Sequence, residues 1–371
     1  MNSRDYMLRA IALAKLGNGY TAPNPMVGAV IVKNGRIIGE GYHKKCGGLH
    51  AERNAFASLT ENAEGAEMYV TLEPCCHYGR TPPCTEAVIE HKISKVYIGS
   101  RDPNPLVSGK GAKKLRENGI EVIEDFMREE CDALNPVFFH YITTGMPYAV
   151  MKYAMTLDGK IAAYTGRSQW ITGSAAREHV HSLRGTYSAV LAGIGTVLAD
   201  DPMLNCRIEN AHQPLRVVAD SNLRIPVDSR LCQTAEEYPL LIACTRCDEQ
   251  KKNALEALGA EVVVLPERNG HTDLNALMKY LAQKQISSVL IEGGGELNYS
   301  ALESGIVSHV CAYIAPKLMG GRTAKTPVSG IGAEHPDNAA LLKNRRITPL
   351  GDDILLEYDI ERSLTDVHGN N

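Results

Sequence analysis

An α/β fold in two domains is what the amino-acid sequence predicts, and three observations carry that prediction. At 371 residues the chain is long enough to bury two cores. Short continuous apolar runs, the mark of buried strands, alternate with helix-spaced segments over its length. The stretch Thr144-Gly145-Met146-Pro147 interrupts that alternation, so the domains are read as 1–145 and 146–371.

Each element follows from local pattern. Residues 4–16 carry apolar side chains at helical spacing (Met7, Leu8, Ile11, Leu13, Ala14) and stop at Gly17, a suitable C-terminal cap. Residues 27–32 are an apolar strand, which Asn34-Gly35 turns into residues 36–42 as a hairpin. A helix is predicted over 50–59, a strand over 68–72, a helix over 85–90 and a strand over 95–99. A helix over 110–117 closes at Asn118-Gly119, a strand follows over 120–123, and 127–143 reads as one helix despite Pro136. Beyond the break, strands are predicted at 148–153, 189–192, 215–219, 240–243, 261–264 and 288–291. Helices fall between them, notably 248–258 and 274–284. Such alternation implies sheets covered by helices.

Composition excludes several classes. Hydrophobic residues at 44% and charged residues at 22% are the balance of a soluble globular protein. Net charge is -4 with no block of lysine and arginine, which argues against a nucleic-acid surface. A small phosphorylated substrate, needing only one or two cations, stays open. No apolar run follows the N-terminal residues, so no signal peptide is expected. No stretch approaches the ~18 uninterrupted apolar residues of a membrane helix. The ten cysteines are therefore expected in a reducing cytoplasm, where clusters suggest metal and isolated ones core packing.

The chemistry concentrates in His50-Ala51-Glu52 and, downstream, in Pro74-Cys75-Cys76-His77-Tyr78-Gly79-Arg80-Thr81-Pro82-Pro83-Cys84. One imidazole and two thiolates, His50, Cys75 and Cys84, can hold Zn²⁺ and leave a fourth position for water, which zinc makes acidic near neutral pH. Glu52 lies two residues beyond His50 and is expected to move protons instead of binding metal. The positive end of a helix beginning at Cys84 would favour its thiolate. A closed structural site using Cys76 or His77 as fourth ligand, or no metal at all, is the alternative. The spacing is longer than in zinc knuckles, and a glutamate beside the histidine has no purpose there. This histidine, glutamate and Pro-Cys pattern is the signature of zinc deaminases.

These residues resemble the cytidine deaminase superfamily. The long Pro-Cys-Cys-His-Tyr-Gly-Arg-Thr-Pro-Pro-Cys form, with Thr21-Ala22-Pro23-Asn24-Pro25-Met26-Val27-Gly28, resembles its riboflavin-pathway branch. The resemblance implies a cytidine-deaminase-like domain with Asn24 on the pyrimidine ring and His43 near the substrate; a turn asparagine and a solvated histidine are the plainer readings.

The second domain is similar to the reductase half of the bifunctional riboflavin-biosynthesis deaminase/reductases, whose fold is dihydrofolate-reductase-like. The similarity rests on Lys152-Tyr153-Ala154-Met155-Thr156-Leu157-Asp158-Gly159-Lys160-Ile161 and Ser168-Gln169-Trp170-Ile171-Thr172-Gly173. It continues through residues 192–207 and Glu292-Gly293-Gly294-Gly295-Glu296-Leu297. It implies NADPH bound by Ala154, Trp170, Thr196, Asp200, Ser221 and the run Gly294, Gly295, Glu296, Leu297, Asn298, Tyr299 and Ser300. It implies sugar-phosphate contacts at Ser168, Arg184, Leu204, Arg207 and Glu292.

From the residues themselves, a glycine turn between strand and helix at 293–295 can admit a pyrophosphate or simply be tight. Its spacing is not a Rossmann fingerprint. Arg184 and Arg207 offer planar forks for a phosphate. Trp170 either fills core or stacks on nicotinamide. Lys152 and Glu292 interrupt apolar strands, so they either support protonation of a reduced sugar imine or form a salt bridge. Arg224 is the candidate for a 2′-phosphate.

The expectation is a homo-oligomeric cytoplasmic enzyme taking a small phosphorylated pyrimidine, first deaminated and then reduced at its ribosyl chain. Two rivals remain at this level: a tRNA or cytidine deaminase with an unrelated second domain, and a zinc-stabilised binding protein without turnover.

Overall fold

The computed structural model describes residues 1–78, 82–104 and 107–361, so Gly79, Arg80 and Thr81 of the cysteine motif lie outside the described residues. The chain divides into two compact units, Met1–Met146 and Pro147–Asn371.

The first unit runs α1 (Ser3–Lys15), β1 (Gly28–Lys33), β2 (Arg36–Tyr42), α2 (Ala51–Ala57), β3 (Glu67–Leu72) and α3 (Cys84–Glu90). It continues with β4 (Lys95–Ser100), α4 (Lys110–Glu117), β5 (Glu121–Ile123), α5 (Arg128–Asp132) and α6 (Pro136–Thr144). Its sheet has the order β2-β1-β3-β4-β5. Strand β1 is antiparallel to β2 and β3, while β3, β4 and β5 run parallel. The predicted hairpin forms with φ of 51° at Asn34 and 72° at Gly35, the left-handed values of a type I′ turn.

Strand alternation splits the sheet between two cores. Ala29, Ile31, Met68, Val70, Val96 and Ile98 pack with Ala51 and Ala55 of α2, Val88 of α3 and Leu115 of α4. Val30, Val32 and Tyr69 face the other way, onto Met7, Ala10 and Ile11 of α1 and Cys131 of α5. Helix α1 lies so close to β1 that a Cβ on Gly28 would meet the Ala10 carbonyl oxygen at 2.0 Å. Helix α2 approaches β2 as closely, at Gly41.

The single helix predicted over 127–143 is two helices. Pro136 has no N–H to donate and its ring clashes with the carbonyl one turn earlier, so α5 stops at Asp132 and Pro136 opens α6. The break presents buried Asn135 to Met26: Met26 N donates to Asn135 Oδ1 at 2.7 Å and Asn135 Nδ2 donates to Met26 O at 2.9 Å.

The second unit runs β6 (Tyr148–Thr156), α7 (Ser174–Thr186), β7 (Ala189–Gly193), α8 (Ile194–Asp200), β8 (Leu215–Ala219), α9 (Arg230–Gln233), β9 (Leu240–Cys244) and α10 (Glu249–Glu256). Then come β10 (Glu261–Val264), the small hairpin β11 (Glu267–Arg268) and β12 (His271–Thr272), α11 (Leu274–Gln283), β13 (Ser288–Ile291), α12 (Gly295–Glu303), β14 (Val307–Ala315), β15 (Leu341–Leu350) and β16 (Asp353–Glu361). Its nine-stranded sheet has the order β10-β9-β8-β7-β13-β6-β14-β16-β15. The strands from β10 to β14 run parallel and the β16 and β15 pairings are antiparallel. The central predicted strands are buried apolar runs, with Val150, Val190, Val218, Ile242 and Leu290 in one core, whereas β10 at the sheet edge leaves Val264 exposed. Arg216 of β8 is wholly buried and donates to the carbonyls of Met203, Leu231, Thr234 and Tyr238, bracing the segment around α9.

Both units are sheets covered by helices, as the sequence predicts. Parallel strands place their C-terminal ends together, where α/β sheets hold ligands. Here β7, β13 and β6 are neighbours and end near Gly193, Glu292 and Thr156.

Candidate active sites

In the first unit the helix starts position the donors. His50 is the extended N-cap residue of α2, and Cys84 is the first residue of α3. Cys75 lies in the loop leaving β3. His50 Nδ1 stands 3.5 Å from Cys75 Sγ and 3.3 Å from Cys84 Sγ, and the three donor atoms lie within 4.8 Å of one another. A tetrahedral zinc ion, bonded at about 2.3 Å to sulfur and about 2.05 Å to nitrogen, spans edges of roughly 3.5 Å. The Cys84 N–H also donates to Cys75 Sγ at 3.4 Å. Hydrogen bonding from Cys84, then from His50, holds Cys75 down to about 4 against burial, whereas its neighbouring sulfur and burial push Cys84 up. A divalent cation suits this set because it lets both sulfurs carry charge. Cys76 and His77 stand outside the group.

Glu52 sits in the first turn of α2, 3% exposed, and burial pushes its carboxyl up. Asn24 Nδ2 lies 3.2 Å from His43 Nε2, while His43 Nδ1 lies 3.0 Å from the Leu49 carbonyl. That carbonyl can only accept, so Nδ1 carries the proton and Nε2 accepts from the Asn24 amide. Burial lowers the His43 pKa, in keeping with a neutral ring. His43 is therefore buried at 3% and not solvated, and its ring meets His50 edge-on.

Two supporting residues escape sequence reasoning. Glu73, directly before Pro74-Cys75, accepts from the N–H groups of Gly109 at 3.0 Å, Gly111 at 3.0 Å and Ala112 at 3.2 Å. Arg53 donates to the carbonyls of Pro82 at 3.1 Å and Pro83 at 3.0 Å, fixing the approach to Cys84. A buried glutamate flanking a metal motif is a signal only once its N–H partners are known.

In the second unit, Lys152 of β6, Arg184 of α7 and Glu292 after β13 converge. Arg184 holds Glu292 through Nε to Oε1 at 2.5 Å and Nη2 to Oε2 at 3.0 Å, and Lys152 Nζ is 3.5 Å from Oε2. Burial would push the Glu292 carboxyl up, but Arg184 and then Lys152 overcome it and hold it down to about 2. The salt bridge between Lys152 and Glu292 is thus present, with Arg184 the tighter partner. The fork of Arg184 is engaged by Glu292 and by the Asn205 carbonyl at 3.1 Å, so it is not presented free to a phosphate. Arg207 is exposed. Leu204 is buried at a left-handed φ of 53°, a strained bend that aims the Asn205 carbonyl at Arg184.

The glycines separate by environment. A Cβ on Gly293 would meet Leu297 at 2.9 Å and one on Gly295 would meet Ser329 at 2.7 Å, so these are packing glycines. Gly294 faces only Thr196 Oγ1 at 3.9 Å and Gly195 faces nothing within 4 Å, leaving open backbone beside the start of α12. Trp170 is 63% exposed, with Arg177 stacked 4.8 Å from its ring, so it does not fill the core. Ser168 Oγ donates to Asp200 at 3.0 Å, and Ser221 Oγ accepts from Thr272 N at 2.9 Å. Ala154 is half-buried in β6, and Glu296 accepts from Ser329. Asn298 is fully buried, its amide donates to Pro327 O at 2.7 Å, and its N–H is used within α12. Tyr299 likewise packs on Gly330. Arg224 is exposed, 3.7 Å from buried Asp220.

Residues 1–100 match the cytidine and deoxycytidylate deaminase zinc-binding region, and residues 147–356 match the RibD C-terminal domain. The riboflavin biosynthesis protein RibD of Actinobacillus pleuropneumoniae is 58% identical over 96% of this chain and 95% of its own length. The chain belongs to the RibD family. The Escherichia coli RibD is 40% identical over 96% of this chain and 99% of its own. Among solved structures, Acinetobacter baumannii RibD aligns with a TM-score of 0.86 at 38% identity, over 97% of this chain and 99% of that one. A Thermotoga maritima deaminase/reductase aligns with a TM-score of 0.82 at 37% identity, over 96% of this chain and 98% of that one. RibD membership accounts for a deaminase unit and a reductase unit on one chain. Among the described residues, no helix is long and apolar enough to cross a membrane.

Proposed function

We propose that the site residues divide two consecutive reactions of riboflavin biosynthesis between residues 1–145 and 146–371. The chain is a bifunctional enzyme, a hydrolytic deaminase and a reductase. The Thermotoga maritima relative is a diaminohydroxyphosphoribosylaminopyrimidine deaminase/5-amino-6-(5-phosphoribosylamino)uracil reductase, and the same small phosphorylated pyrimidine is the substrate proposed here. The observation that carries the reading is the convergence of His50, Cys75 and Cys84 beside buried Glu52.

When bound, zinc makes water acidic near neutral pH and so supplies the nucleophile. Glu52 would take one proton from that water and pass it to the ring nitrogen, then carry the water's second proton to the departing amine, which leaves as ammonia. Because His43 takes one N–H of the Asn24 amide, the Asn24 oxygen is left to accept from the pyrimidine.

In the reductase, the open backbone at Gly294 with Thr196 and the exposed face of Trp170 would hold NADPH. When bound, NADPH supplies hydride to the first carbon of the ring-opened sugar. Glu292 is held ionised, so it cannot be the acid near neutrality. Lys152, at the outer edge of hydrogen-bond distance from it, donates the proton and Glu292 aims it. Arg207 is the phosphate contact. All ten cysteines are unpaired, which supports a cytoplasmic setting. The exposed apolar residues Leu341, Leu342 and Ile347 of β15 support a homo-oligomer.

A coupled assay tests the reading, with the purified diaminopyrimidine phosphate as sole substrate and both ammonia and NADPH followed. Glu52→Gln should keep zinc, lose ammonia release and still oxidise NADPH when given the deaminated product. Ammonia release by that variant at the wild-type rate overturns the assignment.

A further inference from the structure

Strands β14 and β16 bring together a second donor set that neither reaction uses. His309 and Cys311 alternate along β14 and so share one face of the sheet. The antiparallel register sets Cys311 opposite Glu357 and His309 opposite Asp359. An imidazole nitrogen of His309, the Cys311 sulfur and a Glu357 carboxylate oxygen all lie within 4.8 Å of one another. His309 is 4% and Cys311 1% exposed.

The orientation of the histidine is fixed from outside. Asp359 Oδ1 accepts from Nδ1 at 2.7 Å, which leaves Nε2 facing Glu357 Oε1 at 3.6 Å. That separation is too long for a hydrogen bond and close to the roughly 3.5 Å edge of a tetrahedral metal site. Strand β15 steadies both carboxylates: Asn344 Nδ2 donates to Asp359 Oδ2 at 2.9 Å, and Arg346 Nε stands 3.8 Å from Glu357 Oε2. A carboxylate holding the far nitrogen of a ligating imidazole is the usual outer layer of such a site. An ion pair alone would account for His309 and Asp359 and core packing for Cys311, but neither explains why Nε2 faces a Glu357 carboxylate beyond hydrogen-bond reach with the Cys311 sulfur beside both.

We propose that His309, Cys311 and Glu357 bind a second zinc ion, separate from the His50-Cys75-Cys84 centre, that ties β14 to β16. Imidazole, thiolate and carboxylate together select zinc over magnesium or calcium, which take oxygen ligands. The fourth position falls to water.

Zinc analysis of the full-length chain, equilibrated with the metal and freed of excess, tests this. Wild type should hold two ions, Cys311→Ser one, Cys84→Ala one, and the double variant none. A measurement needing no variant accompanies it: with the first centre filled by zinc, cobalt added to wild type should produce a thiolate-to-cobalt charge-transfer band. That band should vanish in Cys311→Ser. A wild-type chain that saturates at one zinc and shows no such band overturns the proposal, as does a second ion or band that survives Cys311→Ser.

Discussion

Arg184 grips Glu292 through two nearly parallel bonds, with only 13% and 10% of the two side chains exposed. Such a bidentate pair is little screened by solvent. The Glu292 carboxyl is held down to about 2, so its contribution to stability is complete at neutral pH. It is lost only as pH falls from about 4.3, an ordinary glutamate value, toward that lower value. Arg184→Ala should destabilise the second unit at neutral pH by about 3–5 kcal/mol, the cost of stranding a buried charge. Adding Glu292→Gln should recover part of the loss. Urea unfolding of the single and double variants, followed from neutral pH into the acid range, checks both sign and size.

The Asn24–His43 contact predicts coupled effects on deamination. His43→Phe removes the acceptor that orients the Asn24 amide, and Asn24→Ala removes the amide itself. Each should lower kcat/KM for ammonia release, and the pair should be non-additive by about 0.5–3 kcal/mol, as for residues in one network. A double-mutant cycle measures this; simple additivity would show that the two act apart.

Glu73 should matter to metal retention without touching metal. Glu73→Gln replaces one accepting oxygen with an amide that faces backbone donors, stranding at least one N–H among Gly109, Gly111 and Ala112. We expect zinc affinity to fall by about 10–100-fold and the first unit to lose about 1–3 kcal/mol. Competition with a coloured chelator reads the first, thermal unfolding the second.

Arg216 is buried among carbonyls and has no carboxylate partner among the described residues. Arg216→Met should destabilise the second unit by at least about 3 kcal/mol, because several buried acceptors lose their donors together. Arg216→Lys should rescue little, since one ammonium cannot span the fan of acceptors that the guanidinium reaches. Denaturant midpoints of the two variants decide this.

Local pattern suffices for the Asn34-Gly35 hairpin, for the buried parallel strands and for the helix starts that carry His50 and Cys84. It fails where structure depends on partners distant in sequence. Strand β15 is exposed along nearly its whole length and shows no alternation, and β14 interrupts its apolar run with Ser308 and His309. The Lys152–Glu292 contact joins residues 140 positions apart, so spacing alone leaves a catalytic pair and a structural one equally open. Arg184 offers a phosphate-shaped fork in sequence, and only the fold shows which carboxylate fills it. Asn298 follows a glycine turn that sequence leaves either open or tight, and only the fold shows its own side chain turned inward.

Asn135 and Met26 exchange two bonds across 109 positions of sequence. The segment shared with the cytidine and deoxycytidylate deaminases ends at residue 100, whereas the strut beneath the Asn24 loop stands well past it. Pruning this enzyme to the shared segment would keep His50, Cys75 and Cys84 while cutting the anchor of the loop that carries Asn24, so a minimal working deaminase should have to reach beyond Asn135.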